Sequence, residues 1–272
     1  MPELPEVETT CRGIAPHLEG KIVEKAIIRQ AKLRWPVTRG LGGEISGALI
    51  EKVGRRGKYI LIETKSGVLM MHLGMSGSLK IVISKQAPEK HDHFDLVLVG
   101  GKVLRFTDPR KFGSIFLIKK EVLDQHKLLK NLGPEPLTED FNTGYCYQLS
   151  RNKKVTIKSF IMNGHNVVGV GNIYANEALF RAGIKPDRLA GKISKARYSV
   201  LVEEIKSVLK KAIQQGGTSL KDFTGSDGKP GYFKQQLLVY GRTGLPCYRC
   251  GKTLKEIRMA QRSTVYCTQC QK

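Results

Sequence analysis

The sequence predicts an α+β protein: a helix leading into an N-terminal β-sandwich, then a helical region, then a short cysteine-bearing hairpin. Apolar residues recur at helical spacing over residues 5–18. They change to a succession of short β-type runs between Lys21 and Lys119 and return to helical spacing further on. Gly133-Pro134-Glu135-Pro136 interrupts the pattern with a stiff break, because each proline fixes its own φ and keeps the preceding residue extended. At 272 residues the chain is long enough for two cores.

In chain order, Val7, Cys11, Ile14 and Leu18 give the first helix its apolar stripe, and Pro5 is tolerated in a first turn. Strands are expected at 59–63, 68–73, 79–83, 95–99, 103–106 and 114–118, separated by glycine-containing turns such as Gly100-Gly101. Many short strands in succession suggest an antiparallel sandwich or barrel. Past the break, 172–182 and 194–215 read as helices; Ser194 caps the second and Gly216-Gly217 ends it. Residues 218–235 are polar and glycine-rich, a working loop or a plain connector. The expected domains are 1–133, 134–234 and 235–272.

Lys and Arg total 46 against 24 Asp and Glu, a net charge of +22. Such an excess repels itself unless a polyanion offsets it, and nucleic acid gains affinity by releasing counterions from each neutralised phosphate. No basic amphipathic segment dominates to favour a membrane surface, and no apolar run is long enough to span one. The N-terminus, with Glu3, Glu6 and Glu8, is unlike a signal peptide, so a soluble intracellular protein is expected.

Cys247, Cys250, Cys267 and Cys270 form two Cys-x2-Cys pairs separated by 16 residues. Four thiolates at this spacing close a tetrahedron around one structural Zn²⁺ and leave no open coordination position for catalysis; a pair of disulfides is the other reading. Cys11 and Cys146 stand alone and read as packing residues. Pro2 becomes a nucleophile once Met1 is removed. An N-terminal amine titrates near ~7.7–8.0 against ~10.4 for lysine, so far more of it is neutral at pH 7. Glu3 and Glu6 stand close enough in sequence to move protons. Taken alone, Met-Pro-Glu is an ordinary start.

The opening Met1–Thr9 block resembles that of formamidopyrimidine-DNA glycosylase. The resemblance continues through 56–59, His72–Gly77, 91–93, Thr107–Gly113, Val168–Ala175, Ser226–Phe233 and the terminal cysteines. It implies a helix-two-turn-helix domain before a zinc-ribbon hairpin, and a monomer acting in the bacterial cytoplasm on nucleoid DNA. The implied activity is that of a bifunctional glycosylase and lyase on double-stranded DNA holding oxidised purines (8-oxoguanine, formamidopyrimidines) or abasic sites. Pro2 is then the nucleophile and Glu3 its acid/base partner, while Lys58 and Arg262 assist proton transfer and elimination. Met75, Arg110 and Phe112 fill the gap left by a flipped base; core packing and a surface charge are the other readings, but the turns at Gly74, Gly77 and Gly113 favour the wedge. His91 and Asn172, with Arg151, Lys153, Lys154 and Lys158, are expected to contact DNA; His91 with His93 also suggests metal, but further ligands are wanting. Ser219, Thr224 and Tyr232 belong to the segment that closes over the lesion. Two other readings remain: an endonuclease VIII-like enzyme for oxidised pyrimidines, whose members usually begin Pro-Glu-Gly-Pro and lack the Met/Arg/Phe trio, and a non-catalytic zinc-ribbon DNA-binding protein.

Overall fold

The computed structural model describes residues 2–218 and 233–272. They form two compact units, one of residues 2–130 with 215–218 and the other of 131–214 with 233–272.

The first unit begins with α1 (Leu4–Leu18). Glu3 and Glu6 form a reciprocal capping box, each carboxylate accepting the other's backbone N–H, which satisfies two of the amides a helix start leaves open. The expected stripe Val7, Cys11, Ile14 and Leu18 is fully buried. The strands are β1 (Val23–Ile28), β2 (Ile50–Arg56), β3 (Tyr59–Thr64), β4 (Gly67–His72), β5 (Ser78–Ile83), β6 (Asp92–Leu98), β7 (Lys102–Thr107) and β8 (Ser114–Ile118), with the short helix α2 (Leu41–Ile45) before β2. They pair antiparallel in two sheets ordered β1-β6-β7-β5 and β2-β3-β4-β8. Ile60, Ile62, Leu69 and Met71 of one sheet share a core with Phe94, Leu96, Leu104 and Phe106 of the other, closed by the α1 stripe. Of the sandwich and barrel that the succession of short strands suggests, this is the sandwich.

The second unit holds α3 (Thr143–Ser150), α4 (Ile157–Met162), α5 (Asn172–Arg181) and α6 (Lys195–Gln214), followed by the hairpin β9 (Lys255–Met259) and β10 (Arg262–Tyr266). Ser194 Oγ accepts the N–H of Arg197 at the start of α6, and Gly216 and Gly217, both at positive φ, follow its end. The units cut across the 1–133, 134–234 and 235–272 division. The hairpin is part of the helical unit because Phe180 of α5 packs with Val239, Cys247, Leu254, Val265 and Cys267 in one apolar cluster. Among the described residues no helix is long and apolar enough to cross a membrane.

Candidate nucleic-acid interface

Strand register gathers the site of the first unit. Tyr59 pairs with His72 and His72 with Ser114, so the β2–β3 turn bearing Lys58, the end of β4 and the start of β8 lie at one end of their sheet. In the other sheet, Ser78 and Asp92 both pair with Thr107, which aligns the start of β5, the start of β6 and the end of β7. Met75, His91, Arg110 and Phe112 occupy the connections that leave these strand ends.

The connections are held tightly. Gly74 has φ +65°, and a Cβ there would lie 2.5 Å from the carbonyl carbon of Phe112. A Cβ on Gly113 would lie 2.7 Å from the carbonyl oxygen of His72. Only glycine allows the 73–77 and 108–113 segments this approach. Lys111 takes a left-handed φ of 56°, an uncommon conformation for a side-chain-bearing residue. Met75 and Phe112 nonetheless remain exposed, at 38% and 41%, with the Arg110 guanidinium 4.9 Å from the Phe112 ring centroid. Neither is a core residue. Two exposed apolar side chains beside a cation can enter a base stack and satisfy an unpaired base.

Beneath them lies Asp108, fully buried. Its Oδ1 accepts the Ser76 hydroxyl at 3.1 Å and the Arg110 N–H at 3.3 Å; its Oδ2 accepts the Gly113 N–H at 2.8 Å. Its own N–H donates to the carbonyl of His91, and its carbonyl accepts Nε2 of His93 at 2.9 Å. His93 is thus engaged with backbone rather than turned toward a metal, and half-buried His91 has no third ligand beside it in any cluster of metal-binding side chains among the described residues.

His72 was not singled out from sequence. Its Nδ1 accepts the Gly74 N–H at 3.0 Å, and its ring lies against Tyr59. Burial, with the charges of Lys58 and Arg34 nearby, pushes its pKa down to about 4. A neutral imidazole therefore braces the connection that bears Met75, next to two cations. Pro2, Glu3 and Glu6 are buried at the start of α1, and Glu6 Oε1 accepts the N–H of Thr218 at 2.8 Å. Ser219, Thr224 and Tyr232 lie outside the described residues.

In the second unit, Gly171 precedes Asn172 at the start of α5. Asn172 Nδ2 donates to the Ser263 carbonyl at 3.0 Å, and Asn176 Oδ1 accepts the N–H of Val265 at 2.9 Å. Lys158 is buried, its Nζ donating to the Ser263 carbonyl and to Thr264 Oγ1. Its charge ties α4 to the hairpin rather than facing outward. Arg151 likewise stacks on Tyr147 and donates to the carbonyls of Tyr147 and Ile193. Lys153 and Lys154 are exposed. Arg262 is exposed beside a two-residue turn, Ala260-Gln261, with both φ values positive at 45° and 58°; that is the twist-matched turn of tight hairpins.

The four cysteine sulfurs lie within 4.8 Å of one another, with Cys247–Cys270 at 3.9 Å and Cys250–Cys267 at 3.5 Å. Zn–S bonds of ~2.3 Å in a tetrahedron separate sulfurs by roughly 3.8 Å, so the group fits one structural zinc. The Cys270 N–H points at Cys267 Sγ, as expected where a Cys-x2-Cys knuckle stabilises thiolate. Cys11 and Cys146 are buried thiols, both pushed up to about 12 chiefly by burial, and are packing residues. Glu177, also missed from sequence, lies buried in α5 and accepts the N–H groups of Leu238, Val239 and Tyr240.

Comparison with known proteins matches residues 1–115 to the formamidopyrimidine-DNA glycosylase N-terminal domain and 132–224 to its H2TH domain. Residues 244–272 match a zinc finger found in FPG and IleRS. The chain is 59% identical to the formamidopyrimidine-DNA glycosylase of a Marinomonas species and 55% identical to that of Stutzerimonas stutzeri, over the whole of each chain. Among solved structures, a Lactococcus lactis FPG mutant in complex with Fapy-dG-containing DNA superposes with a TM-score of 0.93 at 32% identity, covering 99% of both chains. The Thermus thermophilus protein gives 0.89 at 36% identity, covering 99% of this chain and 98% of that one. The four-cysteine hairpin is accordingly a structural zinc finger, and the chain belongs to the formamidopyrimidine-DNA glycosylase family.

Proposed function

We infer that this protein excises oxidised purines from duplex DNA and then nicks the strand. The observation that carries the reading is the exposed Met75–Arg110–Phe112 group on glycine-packed connections of a chain with net charge +22. A duplex is the polyanion in which an apolar wedge and a guanidinium act jointly, one filling the gap of an extruded base and the other bonding its partner. Exposed Lys153, Lys154 and Arg262, half-buried Lys58 and His91, and Asn172 at a helix start serve phosphate. Lys158 and Arg151 serve by holding the elements that carry them.

With Met1 removed, the neutral Pro2 amine attacks C1′. The C1′–base bond breaks with its electron pair on the base, which leaves carrying the proton that the attacking amine gives up. Glu3 supplies the proton that lets the C1′–O4′ bond open to an iminium. The secondary amine makes that iminium permanently cationic. It acts as an electron sink for loss of a C2′ proton with the C3′–O bond, then of a C4′ proton with the C5′–O bond. Zinc takes no part in these steps; it fixes the hairpin bearing Arg262.

Borohydride trapping tests this. Met1-processed protein should form a covalent adduct with duplex DNA carrying 8-oxoguanine opposite cytosine, and a chain retaining Met1 should bind without trapping. Equal trapping by both chains removes Pro2 as nucleophile. Stronger trapping on an oxidised-pyrimidine duplex moves the protein to the endonuclease VIII-like specificity. Binding without any adduct leaves a DNA-binding protein only.

A further inference from the structure

We propose that Asp108 is the positioning residue that makes the Met75 connection, the Arg110–Phe112 connection and His91 a single rigid element, so that wedge and guanidinium enter the duplex together. The proposal rests on the wedge reading of those three side chains. Asp108 itself is buried and touches no substrate. What it does is join segments far apart in sequence. One carboxylate oxygen takes the Ser76 hydroxyl from the first connection and the Arg110 N–H from the second, and the other takes the Gly113 N–H. Its backbone N–H and carbonyl engage His91 and His93.

A carboxylate without hydrogen-bond donors is costly to bury, and here the donors lie on the very segments that must stay in register. Ser76 is the only side-chain link from Asp108 to the Met75 connection among the described residues, and it lies where Gly74 and Gly113 bring the two backbones into close approach. Lys111, left-handed between Arg110 and Phe112, stores strain that the paired bonds at Arg110 and Gly113 offset. Freed of the carboxylate, the turn relaxes and the two tips move independently.

The test uses the whole zinc-loaded protein. Ser76→Ala cuts the cross-link and leaves the amide bonds to Asp108; Asp108→Asn keeps the shape but turns one acceptor into a donor facing an N–H. Hydrogen exchange of the free protein should show faster exchange over 107–114 in Ser76→Ala, although the substitution is in the other segment. On DNA, excision of 8-oxoguanine from a duplex should fall about tenfold for Ser76→Ala and further for Asp108→Asn, the scale of a lost bond to a charged group. Trapping on a single-stranded abasic site, where no stack has to be entered, should stay near wild type for Ser76→Ala. Unchanged exchange over 107–114 in Ser76→Ala overturns the proposal, as does an equal loss on duplex and single-stranded substrates, which marks a general folding defect. If Asp108→Asn does not fold, Ser76→Ala alone decides. A wild-type protein inert on every duplex sinks the glycosylase reading, while the exchange experiment still judges the coupling.

Discussion

The carboxylate of Glu6 holds the backbone N–H of Thr218 at 2.8 Å through one oxygen and that of Glu3 at 2.8 Å through the other. Thr218, 212 positions from Glu6, is thereby fixed on the same side chain as the start of α1. The helix that starts beside Pro2 and the chain leaving Gly217 share an anchor. Gly217 is at φ +82°, a backbone conformation that favours glycine, and a Cβ there would lie 3.0 Å from Glu6 Oε1.

Glu6→Ala leaves both amides buried without this acceptor. At ~1.5–3 kcal/mol for each bond to a charged group, a loss of about 3 kcal/mol or more of stability is expected. Glu6→Gln retains one acceptor and should lose less. Urea denaturation of the three proteins checks the order, and equal stabilities would remove the anchoring role.

His72 gives a pH signature. Burial, then Lys58 and Arg34, hold its folded pKa at about 4, below the ordinary value of 6.5. The folded state therefore binds fewer protons than the unfolded one. The stability owed to neutral His72 is complete above the unfolded value and is lost as pH falls from about 6.5 through about 4. Between about pH 7 and about pH 5 the wild type should lose roughly 2 kcal/mol more than His72→Gln, which has nothing to titrate there. Parallel stability curves would show that His72 does not titrate in this way.

Gly74→Ala and Gly47→Ala separate strain from collision. Both glycines have positive φ, but nothing lies within 4 Å of a Cβ on Gly47, while one on Gly74 meets the Phe112–Gly113 backbone. Gly47→Ala should cost about 1–2 kcal/mol, the left-handed penalty alone. Gly74→Ala should cost more and should also weaken excision from duplex DNA. Thermal melts with a duplex assay decide; equal effects would mean that the two connections are not in contact.

Removing zinc should loosen the second unit first. Cys247 and Cys267 belong to its Phe180–Val265 cluster, so the metal and the apolar packing hold one another in place. Calorimetry with and without a chelator should show a lowered transition. DNA affinity should fall with a shallower salt dependence as Arg262 is lost from phosphate contact. An unaltered salt slope in the metal-free protein would remove Arg262 from the interface.

Cys11 and Cys146 should resist thiol alkylation in the folded protein and react on unfolding, since burial pushes both thiols up to about 12. Mass spectrometry after brief exposure to iodoacetamide reads this directly. Labelling at the rate of an exposed thiol would contradict the packing role.

The sequence by itself determined what depends on periodicity and spacing. The α1 stripe, the strand runs from Tyr59 to Ile118, the caps of α6 and the four-thiolate hairpin are local patterns, and a residue's neighbours along the chain are enough to specify them. The helices α3 and α4 did not stand out because they are short, at eight and six residues, although Asn142 and Thr156 cap them. Met75, Arg110 and Phe112 were readable as candidates from the glycine turns beside them, with core packing and a surface charge as the other readings. Their exposure rules out core packing for Met75 and Phe112.

Only the tertiary structure decided which charges face outward and which are spent inside. Lys158 and Arg151 look like Lys153 in a sequence, yet folding commits them to carbonyls of their own unit and leaves Lys153 exposed. Asp108 takes one of its donors from 32 positions away, and Glu177 takes its donors from 61 or more positions away. A buried polar group must be paired, and the partner that pairs it is chosen by register and packing, not by spacing along the chain.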